Sequence, residues 1–210
     1  MVPRVLRLYR FRFSTNVDRV ALALAHKGLE VESVWIDPAD RSPVREVSGQ
    51  DLVPVLVDGE EVVPDSTAIL EHLERHAPEP PLYPRETARR EEVRVFVDWF
   101  NRVWKAEPNL LADALDAGRT LAEPELRQWA ETIQARLDVF ERLLDGREHL
   151  FGPFGAADCA AWPFVRYAAF RDAEDTETFH RVLEDHQRLD PARHARVVAW
   201  IERVRARPMA

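Results

Sequence analysis

Three consecutive polar side chains near the N-terminus, Ser14, Thr15 and Asn16, carry hydroxyl and amide groups that can donate hydrogen bonds. They precede an apolar segment that suits a buried helix, and a helix N-terminus presents unpaired N–H groups and a partial positive charge. Ser14 can therefore stabilise an anion. The same residue types also cap helices, and the residues alone favour that structural role.

A proline between two apolar residues, Val53-Pro54-Val55, marks a second place where a ligand can bind. Pro54 has no N–H to donate, and a cis bond before it would turn the N–H and C=O of Val53 towards a peptide. Gln50 lies just before this turn and can reach the same ligand. The alternatives are an ordinary strand proline and a solvated loop glutamine.

The pair Asp65-Ser66 stands at the predicted start of another helix. Ser66 and the helix N–H groups can bind a carboxylate, while Asp65 can pair with an ammonium group. A helix cap without any ligand is the competing interpretation.

The elements that must position these groups divide the chain into two domains. Residues 1–79 show strand and helix patterns in the order βαβαββα, with a hairpin at Asp58-Gly59. Four prolines between residues 78 and 84 predict a linker. Residues 80–210 carry helical apolar spacing and no convincing strand, which predicts an all-α helical bundle. Its predicted helices cover 86–115, 124–144, 156–170, 174–186 and 191–205.

Composition excludes several classes of protein. A net charge of -8 argues against binding to nucleic acid or to an anionic membrane, since both need a local excess of Lys and Arg. No apolar run is long enough to span a bilayer, and arginines interrupt the N-terminal apolar residues, unlike in a signal peptide. We therefore expect a cytoplasmic protein.

Cysteine and histidine residues predict no metal or disulfide chemistry. Cys159 is the only cysteine, which excludes an intrachain disulfide, and we expect it in the core. His72 and His76 are four apart on one predicted helix but lack a third ligand, so we expect no metal site. Asp158 is expected to accept hydrogen bonds from the N–H groups that begin a buried helix.

Four segments, in this order along the chain, resemble the glutathione S-transferase superfamily. Ser14–Val20 is similar to its Ser/Cys/Thr-Pro-x-x-x-Arg/Lys-Val, and Leu52–Leu56 to its Val-Pro-x-Leu with a cis-proline. Asp65–Leu70 resembles Glu-Ser-x-Ala-Ile, and Phe154–Asp158 resembles Phe-Ser/Thr-x-Ala-Asp. Thr15 replaces the usual proline of the first segment, a departure that concerns the catalytic class.

The resemblance implies an α/β thioredoxin-like domain that binds glutathione as co-substrate, followed by the all-helical domain. It assigns catalysis to Ser14 and Asn16, with Tyr9 or Thr15 as the alternative hydroxyl donor. The residues expected to bind glutathione are Gln50, Val53, Pro54, Asp65 and Ser66.

The resemblance also implies a reaction and an assembly. The thiolate of glutathione would attack a small apolar electrophile, as in detoxification, within a pocket lined by Phe13, Phe100 and Trp104, although aromatic residues at helical spacing are more often core. A non-catalytic ligand-binding or interaction protein and a glutathione-dependent isomerase are the alternatives, and the thiol can be another small one. We expect a homodimer.

Overall fold

The computed structural model describes residues 5–119 and 121–210. The chain up to residue 87 forms one compact unit together with 207–210, and residues 88–206 form a second. The sequence placed its domain boundary near residue 80. Residues 1–4 and Thr120, which belong to the predicted domains 1–79 and 80–210, lie outside the described residues.

The first unit combines a four-stranded sheet with three helices, which confirms the thioredoxin-like βαβαββα prediction. Its elements are β1 (Leu6–Arg10), α1 (Thr15–His26), β2 (Val31–Trp35), α2 (Ser42–Ser48), β3 (Val55–Asp58), β4 (Glu61–Pro64) and α3 (Ser66–His76). The strand order is β2-β1-β3-β4. β1 runs parallel to β2, and β3 runs antiparallel to both β1 and β4.

The tight turn between β3 and β4 forms at the predicted Asp58-Gly59. Gly59 has φ 64°, a left-handed conformation that costs glycine little because it lacks a Cβ. Asp58 pairs with Glu61 across the hairpin. All four residues of β3 are buried, as expected for a strand that has neighbours on both sides.

Two chain segments that follow α3 are hydrogen-bonded to earlier elements of the first unit. Lys27, at the end of α1, pairs with Glu74 of α3 (Nζ to Oε2, 2.9 Å), and it also donates to the Pro80 carbonyl beyond α3 at 3.1 Å. At the C-terminus, Arg10 Nη1 donates to the carbonyl oxygen of Ala210 at 2.8 Å. The last four residues, which the sequence assigned to the helical domain, therefore belong to the first unit.

The second unit is helical, which confirms the prediction for this half. Its elements are α4 (Thr87–Trp99), a π-helix (Phe100–Trp104), α5 (Ala106–Asp116), α6 (Glu123–Leu143), α7 (Ala156–Val165), a 3₁₀ turn (Arg166–Ala168), α8 (Thr178–His186) and α9 (Ala195–Arg205). The single helix predicted over 86–115 is interrupted by the π-helix. The apolar spacing did not distinguish this wider turn from the α-helices on either side of it.

Asp158 lies in the core of the second unit and accepts three hydrogen bonds. Its Oδ1 accepts from the Leu150 N–H at 3.1 Å and from the Trp200 indole at 2.8 Å, and its Oδ2 accepts from the Gly155 N–H at 3.1 Å. Burial raises the pKa of Asp158 from 3.8 to about 6, although these donors favour the charged form. Cys159 beside it is also buried.

Replacing Asp158 should destabilise the protein strongly. We expect Asp158→Ala to lower the free energy of unfolding by about 2–4 kcal/mol, because three buried donors lose their acceptor. The measurement is urea denaturation at neutral pH. Asp145→Ala, which removes a carboxylate that is largely exposed, is the control and should change stability by less than about 1 kcal/mol.

The raised pKa also predicts a pH dependence. Proton binding by folded Asp158 stabilises the protein below its unfolded-state pKa, and this contribution is lost as pH rises through about 6. Asp158→Asn cannot titrate. The stability advantage of the wild type over Asp158→Asn should therefore shrink by about 2 kcal/mol between about pH 4 and pH 7. An advantage that stays constant over this range would contradict the assignment.

Candidate functional site

A small depression on the first unit gathers most of the residues that the sequence assigned to ligand binding. Its volume is about 110 Å³. Six of its lining residues were predicted from the sequence, and Leu52 is the one addition. The lining residues are Asn16, Gln50, Leu52, Val53, Pro54, Asp65 and Ser66. Groups from three separate parts of the chain therefore meet here, at the start of α1, before β3 and at the start of α3.

Ser14 is the N-cap of α1 and does not line the depression, whereas Asn16 does. The Ser14 Oγ accepts a hydrogen bond from the Val17 N–H at 3.4 Å, and the backbone at Ser14 is extended. A hydroxyl that accepts one hydrogen bond still has its own hydrogen to donate. Ser14 therefore caps α1, which is the structural role that the sequence suggested. Its hydroxyl can still donate a hydrogen bond to an anion.

The two alternative hydroxyl donors differ in their surroundings. Thr15 is buried as the first residue of α1, and Tyr9 is half-buried in β1. Phe13, directly before the cap, has φ 61°, which is unusual for a bulky side chain and marks a strained turn into the helix. Strain of this kind often occurs where a loop must present a functional group.

The Val53–Pro54 peptide bond is cis, and it lies immediately before β3. The pairing of β3 with both neighbours begins at Val55. The N–H and C=O of Val53 therefore lie outside the sheet ladder, at the border of the depression. Such groups can pair with an extended peptide in the manner of an added strand. Gln50 is nearby, and its side-chain amide donates to the Leu52 carbonyl at 3.4 Å.

Asp65 and Ser66 form the start of α3. The Asp65 Oδ1 accepts from the N–H groups of Thr67 at 2.8 Å and Ala68 at 3.0 Å, which makes Asp65 the N-cap. Asp65 has φ 78° and ψ 127°, a conformation that costs a residue with a Cβ of order 1–3 kcal/mol. Ser66, which also lines the depression, is buried, with 4% of its surface exposed.

Arg19 contacts Ser66 of the depression, and the sequence analysis did not assign it to the site. It lies on α1, is only 2% exposed, and donates from Nη1 to the Ser66 Oγ at 3.3 Å. A buried guanidinium behind a helix N-terminus adds positive charge to the place where a carboxylate would bind. The signal in the sequence was a charged residue within the apolar stretch that follows Val17, because such a residue is rarely buried without a partner.

The residues predicted to line a second-substrate pocket lie in different units. Phe13 belongs to the first unit, where its ring contacts the Arg12 guanidinium at 4.8 Å. Phe100 and Trp104 belong to the π-helix of the second unit, where their rings stack with centroids 4.5 Å apart. Both are fully buried. Their role in substrate binding stays a prediction.

Comparison with known proteins identifies the family. The family model described as glutathione S-transferase, N-terminal domain, matches residues 8–81, and the model for the C-terminal domain matches residues 123–203. FtsZ-localized protein A of Caulobacter vibrioides is 31% identical over 166 residues, 73% of each chain. The chain belongs to the glutathione S-transferase superfamily.

Two further members of the superfamily illustrate the range of similarity. Glutathione S-transferase Z1 of Arabidopsis thaliana is 40% identical over 90 residues, which is 40% of each chain. A glutathione S-transferase structure from Methylobacterium radiotolerans, in complex with glutathione sulfonate, is 26% identical with a TM-score of 0.73. That match covers 97% of this chain and 92% of the other. None of the helices in the described residues is long and apolar enough to cross a membrane.

The cap at Asp65 predicts a stability difference between two substitutions. We expect Asp65→Ala to lower the free energy of unfolding by about 1–2 kcal/mol, because the N–H groups of Thr67 and Ala68 lose their acceptor. Asp65→Asn should lower it by less than half as much, since an amide oxygen caps nearly as well and asparagine tolerates a positive φ. Thermal and urea unfolding measure both. Equal losses for the two variants would show that the cap contributes little.

Proposed function

We propose that this protein is a glutathione transferase that activates the thiol of glutathione for attack on a small apolar electrophile. One observation carries the proposal, namely the depression in which the start of α1, the Val53–Pro54 edge and the start of α3 meet. Its charged and polar groups suit the γ-glutamyl end, the cysteinyl backbone and the glycyl end of glutathione. Glutathione is then the co-substrate, and the protein works in the cytoplasm.

The γ-glutamyl end of the tripeptide would bind at the start of α3. Its carboxylate would accept hydrogen bonds from Ser66 and the helix N–H groups, above the positive charge of Arg19. Its ammonium group would pair with Asp65. The cap uses only the Oδ1 of Asp65, which leaves Oδ2 for this ion pair.

The middle and far end of the tripeptide would bind along the Val53–Pro54 edge. The N–H and C=O of Val53 would pair with the cysteinyl backbone in an antiparallel arrangement. Gln50 would contact the glycyl end. Both residues line the depression with Asp65 and Ser66, so a single extended ligand can contact all of them.

The thiol would then lie near the start of α1, where its pKa must fall. A cysteine-like thiol has a pKa of about 8.5, so roughly two units must be removed for a thiolate at neutral pH. A hydrogen bond to a charged sulfur contributes about 1.5–3 kcal/mol, and a helix N-terminus about 0.3–1 kcal/mol. Together they suffice, since one unit corresponds to about 1.4 kcal/mol. Ser14 supplies the hydroxyl, and Asn16 supplies a second donor.

A second candidate function, a non-catalytic binding or interaction protein, is favoured by two observations. The name of the relative FtsZ-localized protein A refers to another protein and not to a reaction. In addition, Ser14 lies outside the residues that line the depression. In this alternative the depression binds a peptide-like ligand without activating its thiol. Measuring glutathione binding and thiol conjugation on the same purified protein separates the two functions.

Ser14→Ala tests the catalytic assignment. We expect it to raise the pKa of the bound thiol by about one to two units and to lower turnover at neutral pH roughly ten- to hundredfold. Glutathione affinity should change little, because Ser14 would contact only the sulfur. Raising the pH should restore much of the lost rate. The measurement is the pH profile of conjugation of a chromogenic electrophile, with glutathione affinity from calorimetry.

Three matched variants show which donor acts on the sulfur. Asn16→Ala, Thr15→Val and Tyr9→Phe each remove one neighbouring donor. Full activity with an unshifted pH profile in Ser14→Ala, together with a loss in one of these variants, would transfer the role to that residue. Asp65→Asn, which keeps the helix cap, should weaken glutathione binding and leave the pH profile unchanged.

We further propose a homodimer, because both units expose large apolar side chains. Trp35 and Val62 are exposed on the first unit, and Val95 and Val103 are exposed on the second. Burying apolar side chains in an interface removes them from water, which favours association. Sedimentation at micromolar concentration should give about twice 24.3 kDa. A monomer would contradict the proposal, and Val95→Arg should shift a true dimer towards monomer.

A further inference from the structure

A cluster of two histidines and one glutamate lies at the C-terminal end of α3. His72 and His76 are one helical turn apart and face Glu61, the first residue of β4. The potential ligand atoms of the three residues all lie within 4.8 Å of one another. Ser66 is ten residues from His76 on α3, which is about 15 Å along the helix axis. The cluster is therefore separate from the candidate glutathione site.

His72 is held in one orientation by Asp58. The His72 Nε2 lies 2.8 Å from the Asp58 Oδ2, a distance at which an Nε2–H group donates a hydrogen bond to the carboxylate. In this tautomer the other nitrogen, Nδ1, presents a lone pair. Histidines that bind metals commonly donate their second N–H to a carboxylate in this way, which fixes the ring and makes it a better ligand.

The lone pair of His72 Nδ1 points into the cluster without a hydrogen-bond partner. This atom is buried and forms no hydrogen bond among the described residues. It lies 3.2 Å from the Glu61 Oε1, so a lone pair and a carboxylate oxygen face each other. Two such acceptor atoms repel each other unless a proton or a metal cation lies between them. A metal cation can bind both atoms and His76 as well.

The spacing of the ligand atoms suits a small divalent metal. With bonds of about 2.0–2.1 Å, tetrahedral ligands lie roughly 3.3 Å from one another. The Glu61 Oε1 is 3.2 Å from His72 Nδ1, and the Glu61 Oε2 is 4.0 Å from His76 Nε2. His76 and Glu61 are 40% and 48% exposed, so small rotations can bring them into line and water can reach a fourth position.

We propose that Glu61, His72 and His76 bind one zinc-class divalent cation, with Asp58 orienting His72. Two imidazoles and a carboxylate favour zinc and its neighbours over calcium or magnesium, which prefer oxygen ligands alone. The bound ion would join β4 to the end of α3 and so stabilise the first unit. The sequence analysis expected no metal because the His72 and His76 pair lacked a third ligand. Glu61 supplies it from a different element.

Titration of the full-length protein with zinc alone tests the proposal. The protein is prepared without a polyhistidine tag, stripped with a chelator and titrated with zinc in a calorimeter. We expect one equivalent to bind and the midpoint of thermal unfolding to rise. Cobalt should bind at the same site and give the visible absorption of a tetrahedral complex. A stripped protein that binds neither metal would overturn the proposal.

Substitutions at exposed positions identify the ligands without disturbing the core. His76→Ala and Glu61→Gln should each weaken zinc binding at least tenfold and reduce the cobalt absorption. Glu60→Gln, at the exposed neighbouring position, is the matched control and should keep the wild-type affinity. Zinc binding that is unchanged in both His76→Ala and Glu61→Gln would place the metal elsewhere and overturn the assignment.

Discussion

The hydrogen bond between Arg19 and Ser66 is the interaction on which the candidate site depends. It joins α1 to the first residue of α3, and both partners are buried. A charged group in the core is stable only if it is well paired, so the position of the guanidinium restricts how the two helices can pack. Asn16 on one helix and Asp65 before the other consequently border the same depression. The same contact adds positive charge behind the place where a carboxylate would bind.

The sheet imposes the second constraint on the site. β3 is paired on both sides from Val55 onwards, which fixes the direction in which the chain enters the sheet. Val53 lies two residues before this strand, at the border of the depression, with its backbone groups outside the ladder. Specificity for a peptide-like ligand would therefore come from backbone geometry, while the helix N-termini would select its charged groups. Neither the backbone groups of Val53 nor the helix N-termini depend on the side chain that would contact the sulfur.

Much of this arrangement was predictable because it depends on local patterns. The Asp58-Gly59 turn and the caps at Ser14 and Asp65 follow from residue types within a few positions of each other. The remaining features depend on contacts between distant segments. Glu61 meets His72 only after the hairpin and α3 have packed, and the partner of Arg19 is 47 residues away. The return of residues 207–210 to the first unit and the π-helix at 100–104 likewise left no local signal.

The central claim is that the first unit binds glutathione and lowers the pKa of its thiol. It is tested most directly by following thiolate absorbance across pH with the protein saturated by glutathione, against glutathione alone. The account predicts a midpoint about two units below the ordinary thiol pKa of about 8.5. Absence of binding, or a bound thiol that titrates like the free one, would contradict it, and the second result would indicate a protein that binds glutathione without activating it.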